Sequence, residues 1–353
     1  MELNIKNIVM LAKEKGASDV HITVGVKPKC RIRGVLVALE EFEVLYPPAT
    51  KVLVESMLNT TNQAIFNEKG EADFAYSIPE VGRFRVNAFH QRGSCAAVIR
   101  IVNTVIPDSE SLGIPGSVLD LCNKKRGLVL VTGPTGSGKS TTLASLIDII
   151  NRQKEVHIIT LEDPIEYLHN HSKAVVNQRE IGLDTQSYAN ALRAALREDP
   201  DIILVGEMRD LDTISTAITA AETGHLVFST LHTIGAAPTI DRVIDVFPPH
   251  QQTQIRVQLA SVLESVISQQ LLPTADRKGR VAAFEVMHGT PAVKNLIREG
   301  KTHQIESIMQ TSKKFGMQTM DDALFDLYMK HRIDGAHALE FAQNYEEMQK
   351  KIY

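Results

Sequence analysis

The run Gly133-Pro134-Thr135-Gly136-Ser137-Gly138-Lys139-Ser140-Thr141 limits what this chain can fold into more than any other stretch. It meets every fixed position of the phosphate-loop pattern, in which a glycine, four variable residues and a second glycine precede a lysine and a hydroxyl residue. Its flanks fit as well. Gly127–Thr132 is apolar and reads as a buried strand, and Leu143, Leu146, Ile147 and Ile150 recur at helical spacing. Strand, glycine-rich turn and helix together wrap backbone N–H groups around a polyphosphate and add the partial positive charge of a helix N-terminus. On this pattern Thr135, Gly136, Ser137, Gly138 and Thr141 form the cradle. Lys139 reaches the β and γ phosphates, and the Ser140 hydroxyl ligates Mg²⁺. The motif predicts binding of a nucleoside triphosphate.

Composition narrows the class. The chain has 353 residues, enough for about two domains. No apolar run approaches the roughly 20 residues that span a bilayer, so direct membrane insertion is not expected. The N-terminal Met1-Glu2-Leu3-Asn4 lacks the cationic and apolar regions of a secretory signal. Cys30, Cys95 and Cys122 are far apart and form no C-x-x-C pair, which argues against a disulfide framework and a zinc module. The net charge of −4 and the absence of Trp weigh against nucleic acid as a partner, while leaving room for a local basic channel.

Two domains are expected. Residues 1–105 read as a small α+β module. A helix over Ile5–Lys15 opens it, strands follow at Val20–Thr23, Cys30–Arg33, Gly34–Ala38, Ala72–Ser77, Arg83–Phe89 and Ala96–Ile101, and Ala49–Leu58 is helical. Residues 106–116, rich in breakers, read as a linker. Residues 117–353 alternate apolar strands with helices, as a parallel α/β sheet requires, with strands at Leu128–Thr132, Val156–Leu161, Ile202–Val205 and Leu226–Thr230. From about residue 290 to 353 the pattern is helical throughout.

Hydrolysis needs a held metal, an oriented water and neutralised charge. Ile202–Val205 leads through Gly206 into Glu207, a carboxylate at a strand's C-terminal end, where ligands bind in α/β sheets. Glu207 is the candidate for polarising the attacking water. Glu162, Asp163 and Glu166 cluster beyond another strand, and a nearby Mg²⁺–nucleotide would relieve their repulsion. His225 and His232 bracket a third strand at opposite ends, a geometry against joint metal ligation, and either could sense a γ-phosphate. Arg83 and Arg85 share one face of a strand in the first domain, followed by Arg92 and Arg100, while Arg193, Arg197 and Arg209 flank the Glu207 strand. Arginines in a domain without a phosphate loop point to a site completed across a subunit interface.

With these elements placed, the chain resembles the secretion ATPase superfamily, and within it the type IV pilus retraction ATPases of the PilT type. The likeness spans nearly the whole chain. It rests on Lys15–His21, the arginine strand Gly82–Phe89, the phosphate loop, the acidic box Glu162–Glu166, the strand ending at Glu207 and the histidine box His225–His232. Asp241–Pro249, Gln269–Pro273 and Ala292–Gly300 extend it. Two positions depart from the family pattern: Val293-Lys294 stands where Ile-Arg is usual, and Thr233-Ile234-Gly235 lacks the usual polar pair.

The resemblance implies an α/β chain with a PAS-like N-terminal domain followed by a RecA-like ATPase domain. It implies hydrolysis of ATP to ADP and phosphate with Mg²⁺, coupled to mechanical work in a cytoplasmic homohexamer that drives pilus retraction and twitching motility. Its partner would be an inner-membrane pilus platform protein, and its localisation peripheral to that membrane. Carried over by position, Glu207 is the catalytic carboxylate, Glu162 and Glu166 belong to the acidic box, and Arg85 and Arg100 face the nucleotide. Two other readings remain: an accessory paralogue of the retraction motor, and a RecA-like nucleic-acid translocase, which the acidic balance and scarce aromatics disfavour.

Overall fold

The computed structural model describes residues 1–32, 34–102 and 105–353, so the expected strand end at Arg33 lies outside the described residues. The chain forms two compact units, the first comprising Met1–Val105 with Glu166–Leu168. Its elements are α1 (Ile5–Glu14), β1 (Asp19–Ile22), β2 (Lys29–Ile32), β3 (Val35–Ala38), α2 (Pro47–Glu55), α3 (Thr60–Lys69), β4 (Glu71–Ile78), β5 (Gly82–Gln91) and β6 (Ser94–Ile101). Asn4 caps α1 by accepting the Asn7 N–H, and Ile5, Ile8, Val9 and Ala12 form its buried stripe. The strands make one antiparallel sheet in the order β3-β2-β1-β6-β5-β4. Phe84, Val86 and Ala88 alternate inward along β5, so Arg83 and Arg85 take the opposite face. Helix α3 is capped by Asn59 and Gly70, but Phe66 is its one buried residue, so no apolar stripe marks it. Cys30 and Cys95 are buried in this unit.

The second unit holds α4 (Gly116–Leu119), β7 (Gly127–Thr132), α5 (Lys139–Gln153), β8 (His157–Glu162), β9 (Val175–Glu180), α6 (Tyr188–Ala195), β10 (Ile202–Val205), α7 (Leu211–Glu222), β11 (Leu226–Leu231), α8 (Ala236–Asp245), α9 (Pro249–Val262), β12 (Leu263–Pro273) and β13 (Arg280–His288). Five helices follow: α10 (Pro291–Arg298), α11 (Ile305–Thr311), α12 (Met320–Met329), α13 (Gly335–Phe341) and α14 (Tyr345–Ile352). The sheet order is β13-β12-β7-β11-β10-β8-β9. Every residue of β7 and β11 is buried, as continuous apolar strands inside a two-faced sheet must be.

The sheet is mixed rather than purely parallel, because β13 runs antiparallel to β12 at one edge. Both strands were hidden in the sequence. Ser265, Ser268, Gln269 and Gln270 are buried along β12 and interrupt the apolar run that marks a core strand. Asn177, Gln178 and Arg179 mask β9 in the same way. One face of the sheet packs against α6, α7, α8 and α9, the other against α5. A separate cluster built on Met320, Leu324, Ile333, Leu339 and Met348 joins α12, α13 and α14 to the sheet edge. The breaker-rich 106–116 stretch is not a free tether. Leu112 and Ile114 pack into the core beside α5, and Asp108 accepts the Ser111 N–H at 2.8 Å. Cys122 is buried in the same layer. Among the described residues, no helix is long and apolar enough to cross a membrane.

Candidate nucleotide-binding site

Strands β7, β11, β10 and β8 lie side by side in that order and run parallel, so their C-terminal ends share one edge of the sheet. That is the edge at which open α/β sheets bind ligands. The phosphate loop follows β7, His232 follows β11, Glu207 stands two residues beyond β10, and Glu162 ends β8.

The loop has the backbone its glycines allow. Gly133 and Gly138 take φ of 138° and 91°. A Cβ at Gly133 would collide with the Gln269 carbonyl, while Gly136 has nothing within 4 Å and leaves its backbone open. Lys139 donates from Nζ to the carbonyls of Gly133 at 2.7 Å and Pro134 at 3.1 Å. The Ser137 hydroxyl is buried without a hydrogen-bond partner. Ser140, in the first turn of α5, is exposed, as a metal-ligating hydroxyl must be. Behind the loop, Gln269 accepts the Thr142 hydroxyl at 2.8 Å, tying α5 to β12.

Glu207 is the centre of the polar network. Its Oε1 lies 2.6 Å from Arg209 Nε and 3.1 Å from His232 Nε2. Partial burial pulls this carboxyl upward, yet Arg209 and His232 outweigh it and hold the group below the usual carboxylate range. The other ring nitrogen of His232 lies 3.4 Å from Thr135 Oγ1. One imidazole therefore spans the phosphate loop and the carboxylate. Glu162 Oε1 accepts from Thr160 Oγ1 at 2.6 Å and from Gln178 Nε2 at 3.0 Å, and Gln178 in turn accepts the His169 N–H at 2.8 Å.

The Tyr188 phenol stands among these groups. Burial pushes it up, and the carboxylates of Asp163, Glu207 and Glu162 push it further. A Cβ on Gly206 would come within 2.7 Å of the Tyr188 hydroxyl, so the glycine makes room for it. Beside the loop, a cavity of about 340 Å³ is lined by Gly138, Thr141 and Thr142 together with Leu271, Asp326 and Leu327.

Not every expected residue gathers here. His225 precedes β11, and six residues at about 3.3 Å each put it roughly 20 Å from the His232 end. Its Nδ1 lies 2.9 Å from the Ala220 carbonyl, closing the end of α7, so the structure does not bring it to the Glu207 network. Arg193 hydrogen bonds to Asn190 within α6, whereas Arg209 reaches the site. Glu166 belongs with the first unit and is exposed. Also in the first unit, Arg85 and Arg100 pair directly across β5 and β6, both exposed, with Arg100 Nε 3.0 Å from Asp19 Oδ1. Two guanidinium groups opposed across a ladder repel, and an anion on that face would relieve them.

The family described as "Type II/IV secretion system protein" matches residues 1–326. The chain belongs to that family. It is 48% identical over 345 residues to the "Type IV pilus retractation ATPase PilT" of Pseudomonas aeruginosa, covering 97% of this chain and 98% of that protein. It is 40% identical over 350 residues to the "Type IV pilus ATPase PilU" of the same organism, covering 99% of this chain and 91% of the relative. Among solved structures, the "Pilus Retraction Motor PilT and Bound ADP" superposes with a TM-score of 0.92 at 50% identity, over 99% of this chain and 100% of that one.

In this secretion-system protein, three side chains of the site carried no readable signal: Tyr188, Gln178 and Gln269 in its bracing role. Gln269 was visible inside the Gln269–Pro273 signature, but nothing local marked it as the brace of the loop. Tyr188 heads an amphipathic helix and carries no motif. Gln178 lies in a strand whose polarity hid the strand itself.

Proposed function

We propose that this chain is an Mg²⁺-dependent ATPase working as a homohexameric motor for type IV pilus retraction. The observation that carries the reading is His232, whose ring touches Thr135 of the phosphate loop and the Glu207 carboxylate at once. An imidazole so placed registers what the loop holds and orients the group that acts on it. The polyphosphate lies in the cradle 133–141, with the Ser137 hydroxyl supplied with its missing partner. The nucleoside end occupies the cavity beside Thr141, Leu271 and Asp326, whose volume falls within the range of small-molecule sites.

Ser140 would hold Mg²⁺, which would supply positive charge to neutralise the phosphates. Arg209 and His232 keep Glu207 ionised, so its carboxylate accepts a hydrogen bond from the attacking water and aims the oxygen at the γ-phosphate. Lys139 leaves the loop carbonyls for the phosphates. Arg85 and Arg100 supply positive charge from a neighbouring subunit, in a ring docked on a platform protein at the cytoplasmic side of the inner membrane.

Retraction is favoured over an accessory role because the identity to the relative named PilT exceeds that to PilU, both across nearly the whole chain. The direct test is turnover of Lys139→Ala and Glu207→Ala, each expected to remain folded and to lose ATP hydrolysis. Parental turnover in the Glu207 variant would remove it from the chemistry. Normal retraction in a strain lacking the gene would shift the reading to an accessory motor.

A further inference from the structure

Glu285, on β13, is a carboxylate 4% exposed in the interior of the second unit. It lies outside the network around Glu207, yet α8, the helix that follows His232, begins against it. Its Oε1 accepts the Ala236 N–H at 2.6 Å, at the first turn of α8. Its Oε2 accepts from Gln343 Nε2 at 3.1 Å. Directly across the ladder, Ser268 Oγ accepts the Gly235 N–H at 3.0 Å. The neighbours Ser268 and Glu285 thus take both N–H groups with which α8 opens, three residues after His232.

The far side of this contact is the helical cluster of α12, α13 and α14. Asp321 accepts the Gln343 and Asn344 N–H groups at 2.7 and 2.9 Å, which fixes the turn that presents Gln343 to Glu285. Two turns further along α12, Asp326, Leu327 and Lys330 line the cavity beside the phosphate loop. The short chain segment from His232 to Gly235–Ala236, the hydrogen bonds from Ala236 through Glu285 and Gln343 to Asp321, and helix α12 together form a path to residues that line this cavity. A buried carboxylate is costly unless every acceptor is used. Burial does drive the Glu285 carboxyl upward, against the pull of the Ala236 N–H and the Gln343 amide. A hydrophobic residue would pack this position at less cost, so holding α8 to Gln343 calls for a polar group.

We propose that Glu285 is a positioning residue that couples the His232 loop to α12, so that contacts made at the γ-phosphate end of the pocket are transmitted to its nucleoside wall. The inference rests on the ATPase reading for its kinetic consequences, though not for the coupling itself. The test compares the parent with E285Q and with the exchanged pair E285Q/Q343E. In the single variant the amide oxygen keeps the Ala236 N–H, and the amide NH₂ is left opposite the Gln343 NH₂. In the exchanged pair the amide oxygen at position 285 still accepts the Ala236 N–H, and the amide NH₂ donates to the carboxylate now at position 343. Hydrogen–deuterium exchange of the Met320–Met329 amides and steady-state kinetics are measured on all three. In E285Q, α12 exchange rises and kcat falls, each by about tenfold, while KM for ATP moves less than about twofold. The exchanged pair restores both.

Should E285Q fail to fold, Q343L, at an exposed position, is expected to give the same split. Exchange and kcat equal to the parent in E285Q or Q343L would overturn the proposal. So would equal losses of kcat and KM that follow melting temperature and are not rescued by the exchange. A parent chain that does not hydrolyse ATP would defeat the ATPase reading instead, and α12 exchange would still decide the coupling.

Discussion

Arg209 Nε lies 2.6 Å from Glu207 Oε1, although most of the arginine side chain faces solvent. The pair sets the charge of the candidate catalytic carboxylate. Partial burial raises Glu207 and the cation lowers it, with the lowering dominant. The carboxylate therefore stays ionised to lower pH than an ordinary glutamate. In Arg209→Gln burial is less opposed, and the acidic limb of the kcat–pH profile is expected to move to higher pH, with turnover near neutrality less affected. The profile is measured at constant ionic strength. A limb that does not move would mean another group sets that charge.

The two histidines of the histidine box lie at opposite ends of β11. His232→Ala is expected to lower kcat by about 10² or more, since general acid–base and orienting groups contribute at that level. His225→Ala removes a cap on α7 and is expected to leave kcat within about twofold, with a loss of stability of roughly 1 kcal/mol. Parallel turnover and urea-melt measurements decide the point. Equal losses of turnover in both variants would contradict the placement of His225.

Glycines in the loop differ in what they tolerate. At Gly133 a methyl group would strike the Gln269 carbonyl, on a backbone with φ of 138°. At Gly136 φ is 82° and no atom lies within 4 Å. Gly133→Ala is expected to abolish binding of a fluorescent ATP analogue and to lower the melting temperature. Gly136→Ala is expected to cost about 1–2 kcal/mol of backbone strain and to retain measurable binding. Binding that survives in the first variant and vanishes in the second would reverse this assignment.

His169 predicts acid sensitivity. Burial lowers its ring from 6.5 to about 4, and its Nδ1 is buried without a partner. The folded chain holds the ring neutral while the unfolded chain takes up the proton. Its contribution to stability is therefore complete above about 6.5 and is lost as pH falls toward about 4. The loss is at most about 3 kcal/mol. His169→Phe, which removes the titrating group, is expected to flatten the pH dependence of the unfolding free energy across that window. An unchanged slope would show that His169 does not set it.

What the sequence made legible follows one physical rule. Where function needs an apolar strand to deliver a charged or glycine-rich end, pattern and motif coincide. Gly133–Thr141, Glu207 and Glu162 could be read directly, along with β7, β8, β10 and β11. The rule fails where the core itself is polar. Gln269 and Ser268 on β12, Gln178 on β9 and Glu285 on β13 are buried or half-buried polar groups whose partners lie outside their own strands, up to 127 residues away for Thr142 and Gln269. Such partners leave no local period. Arg85 and Arg100 show a third case: their pairing across β5 and β6 is visible only once the register is known.

The three cysteines are buried and their thiols are raised, Cys122 to about 12. Burial leaves little of these thiols within reach of a maleimide, so the parent chain offers a low background for thiol labelling. A cysteine introduced on the solvent side of α12, and another on the first unit, would be the sites a dye pair takes. The distance between the two units could then be followed through a catalytic cycle by energy transfer, without first removing a native thiol.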